Sequence, residues 1–461
     1  MTKKTVWAGG ALLLGIAVAA VVATRQSPTE TPAGAIALPP TGPLTIAAGG
    51  DTVISRPIAR SDKDEAFEAM IGIVRGAAVA ITNLEMTLLE NGPSGDAARA
   101  RPQGAIGSSA EAAGLRSLGF DVVGQANNHA TDYGPEGMIE TRAILVDSGL
   151  LPAGSGRDLA EARAPVFVGI GARKVAVVAV AISSSPESVA TPARGVINGR
   201  PGINPLRYAA DVTVDGPTYE TLRRSAPAWQ GGHEPAADQF TLLGTTIKKG
   251  ERTSVNLVPD PGDVDAILAQ VRLARQTAEV VVLSVHSHEP GNDSDRPAEF
   301  FSALARQAID AGAALIVGHG PHRLRGVEIY KGGAILYSVG NFLYQLKEGQ
   351  SPATDQFDAG VDMYSLATGI SGGRTASRFG VANEEWWEGA VAVATFESGA
   401  LRSLQVHPVD LGWDRPADRR GVPRKPAAPQ AVKILERLAG LSQPYNTTVR
   451  IGNGVGTVVI K

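Results

Sequence analysis

Five of the seven histidines fall in three short clusters, each directly after an apolar, strand-like run. They are Asn127-Asn128-His129 after Phe120–Ala126, His286-Ser287-His288 after Val280–Val285, and His319-Gly320-Pro321-His322 after Ala313–Gly318. Two further runs end in carboxylates, Leu44–Gly50 at Asp51 and Val79–Leu84 at Glu85. Asp51 and Glu85 offer negative oxygens, Asn128 a neutral carbonyl oxygen, and His286, His319 and His322 imidazole nitrogens. Such a mixed set suits Mn²⁺, Fe, Zn²⁺ or Ca²⁺ better than Mg²⁺, which prefers oxygen and water. Two ions about 3.5–4 Å apart hold an attacking hydroxide and clamp an oxyanion such as phosphate. Taken singly, Asp51 also reads as a helix cap, Glu85 as a surface carboxylate and His288 as a residue that only supports a ligand. Their joint occurrence at five strand ends favours one site. His233 and His407 stand outside the pattern and read as ordinary surface or packing residues.

Ligand-bearing strand ends need a sheet to gather them, and open α/β sheets bind ligands beyond the carboxyl ends of their strands. From Leu44 to about Ser185 apolar runs alternate with helical candidates, Asp62–Val74, Ser108–Leu118 and Pro135–Ser148. That alternation predicts a mainly parallel sheet covered on both faces. Pro186–Pro261 breaks the rhythm, is rich in Gly and Pro, and is too long for an ordinary connection, so it reads as an insertion and a candidate lid. Order resumes with helix Asp263–Thr277, strand Glu279–Val285, helix Pro297–Ala311 and strand Ala313–Val317. A hairpin-like pair Arg325–Tyr330 and Gly333–Val339 follows, then an irregular stretch Gln345–Asn383. Gly389–Glu397 and Leu401–Val406 form a hairpin around Ser398-Gly399, and helix Gln430–Gly440 precedes a last short strand.

The amino terminus is a separate object. Lys3 and Lys4 precede an apolar or Gly stretch from Val6 to Ala23, which reads as an export signal or, at that length, a membrane anchor. Residues 1–24 are therefore expected to be a signal or anchor and 25–43 a Pro-rich linker, with the body of the protein, 44–461, exported to the cell envelope. The net charge of −3, with both signs well mixed, gives no reason to expect nucleic acid as a partner. The chain has no cysteine, which fits an envelope protein that needs no disulfides.

The same residues resemble the CapA/PgsA family, the capsule or poly-γ-glutamate synthesis proteins. The resemblance is carried by Gly50-Asp51, by Asn83-Leu84-Glu85, and by Gly119-Phe120-Asp121-Val122-Val123 through Ala126-Asn127-Asn128-His129-Ala130 and Asp132-Tyr133-Gly134. It continues in Gly318-His319-x-Pro321-His322 and Tyr337-Ser338-Val339-Gly340-Asn341-Phe342, spanning roughly Leu44–Leu346 in pieces. Because that family is similar to the calcineurin-like metallophosphoesterases, the resemblance implies an α/β fold of four layers, α/β/β/α, and a dinuclear metal site. It implies Asp51, Glu85, Asn128, His286, His319 and His322 as metal ligands and His129 as the group beside the substrate, donating a proton or holding a phosphoryl oxygen. The chain departs from the pattern at Val53, where metallophosphoesterases carry a histidine, and at Gly320. At His286-Ser287-His288-Glu289 it departs again and offers His288 as a replacement ligand.

The expectation is a metal-dependent hydrolase-like protein of cell-surface polymer metabolism, acting on a phosphoester or an anionic polymer. Its rival is a non-catalytic accessory subunit of a membrane polymer synthase or exporter, using the same pocket to bind anionic chains. A third reading uses the metal for proton abstraction, with His129 or His288 as base.

Overall fold

The computed structural model describes residues 42–58, 62–92, 105–225, 238–242, 245–345, 383–416 and 419–460. The apolar amino-terminal run, nearly all of the Pro-rich linker, Trp229, His233 and most of 345–383 lie outside them. Among the described residues no helix is long and apolar enough to cross a membrane.

The chain is a mixed α/β structure in which the apolar runs become the strands of two large sheets. In the nine-stranded sheet Leu44–Val53, Val79–Leu84, Val122–Gly124 and Leu151–Ala153 lie parallel, in that order. Asn341–Tyr344 pairs parallel to the end of Leu44–Val53, and the hairpin Glu388–Glu397 and Ala400–Asp410 extends the sheet on the other side. In the six-stranded sheet Gly333–Val339, Leu315–His319, Val280–His286 and Arg173–Ala181 are parallel, edged by the antiparallel strands Leu324–Tyr330 and Val166–Ile170.

Side chains alternate between the two faces of a strand, and the packing follows that period. Leu44, Ile46, Ala48, Val79 and Ile81 of the larger sheet share one apolar cluster with Val175, Val177, Val280, Val282, Leu315 and Val317 of the smaller. The intervening Ala47, Ala80 and Val123 pack instead with Phe67, Met70 and Ile71 of helix Glu65–Arg75, Leu115 of helix Ser109–Ser117 and Leu145 of helix Gly134–Asp147. On the far side, Ala176, Val178, Val281 and Leu283 pack with Ile267 and Val271 of helix Pro261–Arg275 and Phe301 and Leu304 of helix Glu299–Asp310. The two sheets therefore share an interior, and helices cover each outer face. Strands buried on both faces explain the near-continuous apolar runs, and each fully buried Val, Leu or Phe contributes about 1.5–3 kcal/mol.

Helix starts follow local capping. The sequence reading began one helix at Asp263, but it begins at Pro261, because Asp260 Oδ1 accepts the Asp263 N–H at 2.9 Å. Asp263 itself is buried and holds Arg163 at 2.7 Å and Arg207 at 2.7 Å.

Within the segment that breaks the sequence rhythm, the strands Gln239–Leu242, Thr245–Gly250, Tyr208–Asp215 and Ser254–Pro259 pair in that order as a sheet of their own. Tyr219 of helix Gly216–Ser225 packs there on Val214, Phe240 and Ile247. Its strands are largely solvent-facing, which hides them in a hydropathy reading.

Candidate metal centre

His286 and His319 end adjacent parallel strands and face one another in register. Alternation places both on the interior face, with Val282 and Val317. Their Nδ1 atoms are 3.0 Å apart, and His319 Nε2 is 2.8 Å from Ser284 Oγ.

Simple alternation along Leu44–Val53 would turn Asp51 outward, with Ala47. The pairing with Val79–Leu84 shifts register between Ala48 and Asp51, and such a bulge re-aims the side chains beyond it. Asp51 consequently faces the interior, 3.5 Å from His319 Nδ1 and 3.7 Å from His286 Nδ1. The bulge depends on Gly50, since a Cβ there would run into the carbonyl oxygen of Gly340, which accepts the Asp51 N–H at 3.0 Å. Asp51 Oδ1 accepts from Asn83 Nδ2 at 2.8 Å and Oδ2 from the Gly320 N–H at 2.8 Å. Gly320 reaches that position at φ 117, which favours glycine.

Glu85 lies just past the end of Val79–Leu84 and is buried. Its Oε1 is 3.6 Å from His286 Nε2 and 3.7 Å from His288 Nε2, and its Oε2 is 3.6 Å from His322 Nδ1. Neither oxygen has a hydrogen-bond partner. A buried, unpartnered carboxylate costs several kcal/mol unless a cation neutralises it.

His322 takes φ 59, a strained left-handed conformation for a residue with a Cβ. It is held there by Asn341 Oδ1, 3.0 Å from Nδ1, and by the rings of Trp386 and Tyr344, with centroids at 4.5 and 5.3 Å.

The donors sort into two groups, Asp51 with His286 and His319, and Glu85 with His288 and His322, the ligand atoms of each lying within 4.8 Å of one another. Asn128 Oδ1 lies between the groups, 2.7 Å from His286 Nε2 and 3.3 Å from His288 Nε2. All seven proposed donors thus converge, and the orphaned oxygens of Glu85 among imidazoles are the donor chemistry that divalent ions require. These groups could bind metal ions.

Electrostatics match. Burial holds His286 well below the usual imidazole range and pushes His319 down to about 3, so both stay neutral, the form that ligates. Burial, and then the charge of Glu85, raises Asp51 well above the carboxylate range. Burial acts the same way on Glu85, but the imidazoles of His322 and His286 outweigh it and hold that carboxyl low.

His129 belongs to neither group. Its N–H is held by Asn127 Oδ1 at 3.1 Å and its Nδ1 lies 2.7 Å from Asp132 Oδ2. Burial pushes this imidazole down, but Asp132 outweighs it and the pKa is pushed up to about 9. His407 sits half-buried on the strand Ala400–Asp410, outside both groups.

Sequence reasoning gave no role to Asn83, Asn127, Asn341 or Asp132, although all lie in the motifs quoted above. Asn83 links Asp51 to Asn127, whose Nδ2 donates to Asn83 Oδ1 at 3.2 Å and to the Leu84 carbonyl at 2.7 Å. Strand periodicity could have found it, because Asn83 shares a face with Ile81.

Residues 45–346 match the family model of the bacterial capsule synthesis protein PGA_cap. The uncharacterized protein y4sH of Sinorhizobium fredii is 36% identical over 436 residues, covering 90% of this chain and 93% of that protein. The PGA biosynthesis protein CapA of Bacillus subtilis is 27% identical over 232 residues, covering 50% of this chain and 44% of that protein. A "Probable polyglutamine synthesis accessory protein" of Mycobacterium tuberculosis is 28% identical over 231 residues, covering 49% of this chain and 46% of that protein. The chain spans less than half the length of these last two relatives. The family-model match and the full-length relative agree with the residue pattern, and the chain belongs to the bacterial capsule synthesis protein PGA_cap family.

Proposed function

We propose that the chain is a metal-dependent, hydrolase-like protein of capsule or poly-γ-glutamate metabolism, exported to the cell envelope, with two divalent ions in a metallophosphoesterase-type α/β/β/α sandwich. The observation that carries this reading is Glu85, a buried carboxylate with both oxygens unpartnered and three imidazoles within 3.7 Å. Asp51, His286 and His319 would hold one ion, and Glu85, His288 and His322 the other, with Asn128 between them. So many imidazoles favour Mn²⁺, Fe or Zn²⁺ over Ca²⁺. Bound there, such ions supply positive charge that favours an anionic transition state.

The chain's own residues do the remaining work. Asp132 accepts from His129 Nδ1, fixes the ring and favours its protonated form. A protonated imidazole beside the ligands suits a proton donor to a leaving oxygen. Burial of Asp51 and Glu85 keeps water from competing for the same charges.

Elemental analysis of the purified protein, with turnover of an aryl phosphate in Mn²⁺, tests the reading. About two equivalents of metal and turnover sensitive to His129→Ala are expected. Protein that stays metal-free in Mn²⁺, Fe²⁺ and Zn²⁺ sinks the assignment. Tight metal binding without turnover favours the second reading, an accessory subunit that binds anionic polymer beside a membrane synthase, which the name of the Mycobacterium tuberculosis relative supports.

A further inference from the structure

We propose that Asn292 is a positioning residue for the second ion, fixing the ring of His288 so that the nitrogen nearest Glu85 presents its lone pair. This rests on the two-ion reading above. The strand Val280–His286 ends two residues before His288, so the ladder does not orient that side chain. Local contacts do so instead. The His288 N–H donates to Ser183 Oγ at 2.7 Å, and His288 Nδ1 lies 2.7 Å from Asn292 Oδ1. A carboxamide oxygen only accepts, so Nδ1 carries the hydrogen and the neutral ring keeps its lone pair on Nε2. Nε2 is the atom 3.7 Å from Glu85 Oε1 and 3.3 Å from Asn128 Oδ1.

The loop that carries Asn292 is itself fixed. Arg325, fully buried, donates to the carbonyls of Glu289 at 2.9 Å, Gly291 at 3.0 Å and Ser294 at 3.1 Å, which bracket Asn292. On the other side Glu289 accepts from Ser183 and Ser287 through Oε2, at 2.7 and 3.0 Å, and from Tyr208 through Oε1, at 2.8 Å. A buried guanidinium spent on three backbone carbonyls makes sense if the loop must hold one geometry. Partners of this kind on ligating histidines alter metal affinity about 10–100-fold.

The test is Mn²⁺ titration of the metal-free full chain, with binding followed by calorimetry and the spin-coupled pair followed by electron paramagnetic resonance. In Asn292→Ala the position built by Asp51, His286 and His319 keeps its affinity, the second weakens about 10–100-fold, and the coupled signal is lost. Asn292→Asp, an acceptor at the same place, restores both. Unchanged second-ion affinity in Asn292→Ala overturns the proposal while leaving the two-ion reading intact. Equal weakening of both positions together with a lower melting temperature also overturns it, since that marks a merely structural role. Wild-type protein that takes up none of Mn²⁺, Fe²⁺ and Zn²⁺ in the same titration overturns the two-ion reading and this proposal with it.

Discussion

Asp51 and Glu85 approach the same histidine from two strands of one sheet, each with an oxygen 3.6 Å from Nδ1 of His322. Two buried carboxylates converging on one imidazole repel each other, and after burial the charge of Glu85 is what holds the Asp51 carboxyl well above its usual range. A cation bound between the two carboxylates would relieve that repulsion.

Glu85→Gln should destabilise the metal-free protein at neutral pH, by about 1–3 kcal/mol, because, despite burial, the imidazoles of His322 and His286 hold that carboxyl low and so favour its charge in the fold. The same change should abolish the rise in melting temperature that Mn²⁺ gives the wild type. Denaturant melts with and without metal read both effects, and a more stable apo variant would contradict the electrostatic argument.

Gly50→Ala should cost about 1–3 kcal/mol or more and also lower metal affinity, because its Cβ collides with the Gly340 carbonyl and disturbs the bulge that aims Asp51. Gly72→Ala, on a helix where a Cβ meets nothing within 4 Å, serves as the control. Equal behaviour of the two variants would remove the bulge from the explanation.

Acid should destabilise the metal-free protein through His319, against an opposing contribution from Asp51, whose carboxyl is raised. His319 has its pKa pushed down to about 3 from an ordinary 6.5, so below 6.5 the unfolded chain takes up a proton that the folded chain refuses. The stability this neutral group contributes is complete above pH 6.5 and is lost as pH falls toward 3, at a limit of about 1.4 kcal/mol per pH unit for one such group. Urea melts at pH 7, 6 and 5 measure the slope, and the same melts on His319→Gln should be flatter. An identical slope in the variant would assign the effect elsewhere.

His129 should behave in the opposite sense. Its raised folded pKa of about 9 means that its ion pair with Asp132 contributes fully below pH 6.5 and is lost as pH rises through 9. Asp132→Asn should therefore remove stability mainly at neutral and acidic pH. His129→Ala should leave metal content unchanged and lower turnover about 10²–10⁴-fold. Loss of metal on that substitution would move His129 from proton donor to ligand.

The two large sheets were legible because strands buried on both faces read as continuous apolar runs: Val79–Leu84 has the same bounds in sequence and structure. The convergence of the candidate donors was legible for a related reason, since they stand at or just beyond the points where such runs stop. The small sheet formed by Gln239–Leu242, Thr245–Gly250, Tyr208–Asp215 and Ser254–Pro259 was not, because strands such as Ser254–Pro259 bury no residue fully and carry no continuous apolar run. Asp132 and Asn292 were equally hidden, because an orienting residue is defined by the atom it touches.

Sequence alone determined which side chains could bind metal and that they end strands, since residue type and hydrophobic period are local properties. Tertiary structure decided how they are divided. Whether Asp51 faces His319 or the outer helices depends on a bulge between Ala48 and Asp51 and on the close passage of Gly340, a contact between residues far apart in the chain. Whether His288 presents a usable nitrogen depends on Asn292 and on a loop pinned by Arg325. Such relationships arise when distant segments pack, and no local pattern encodes them.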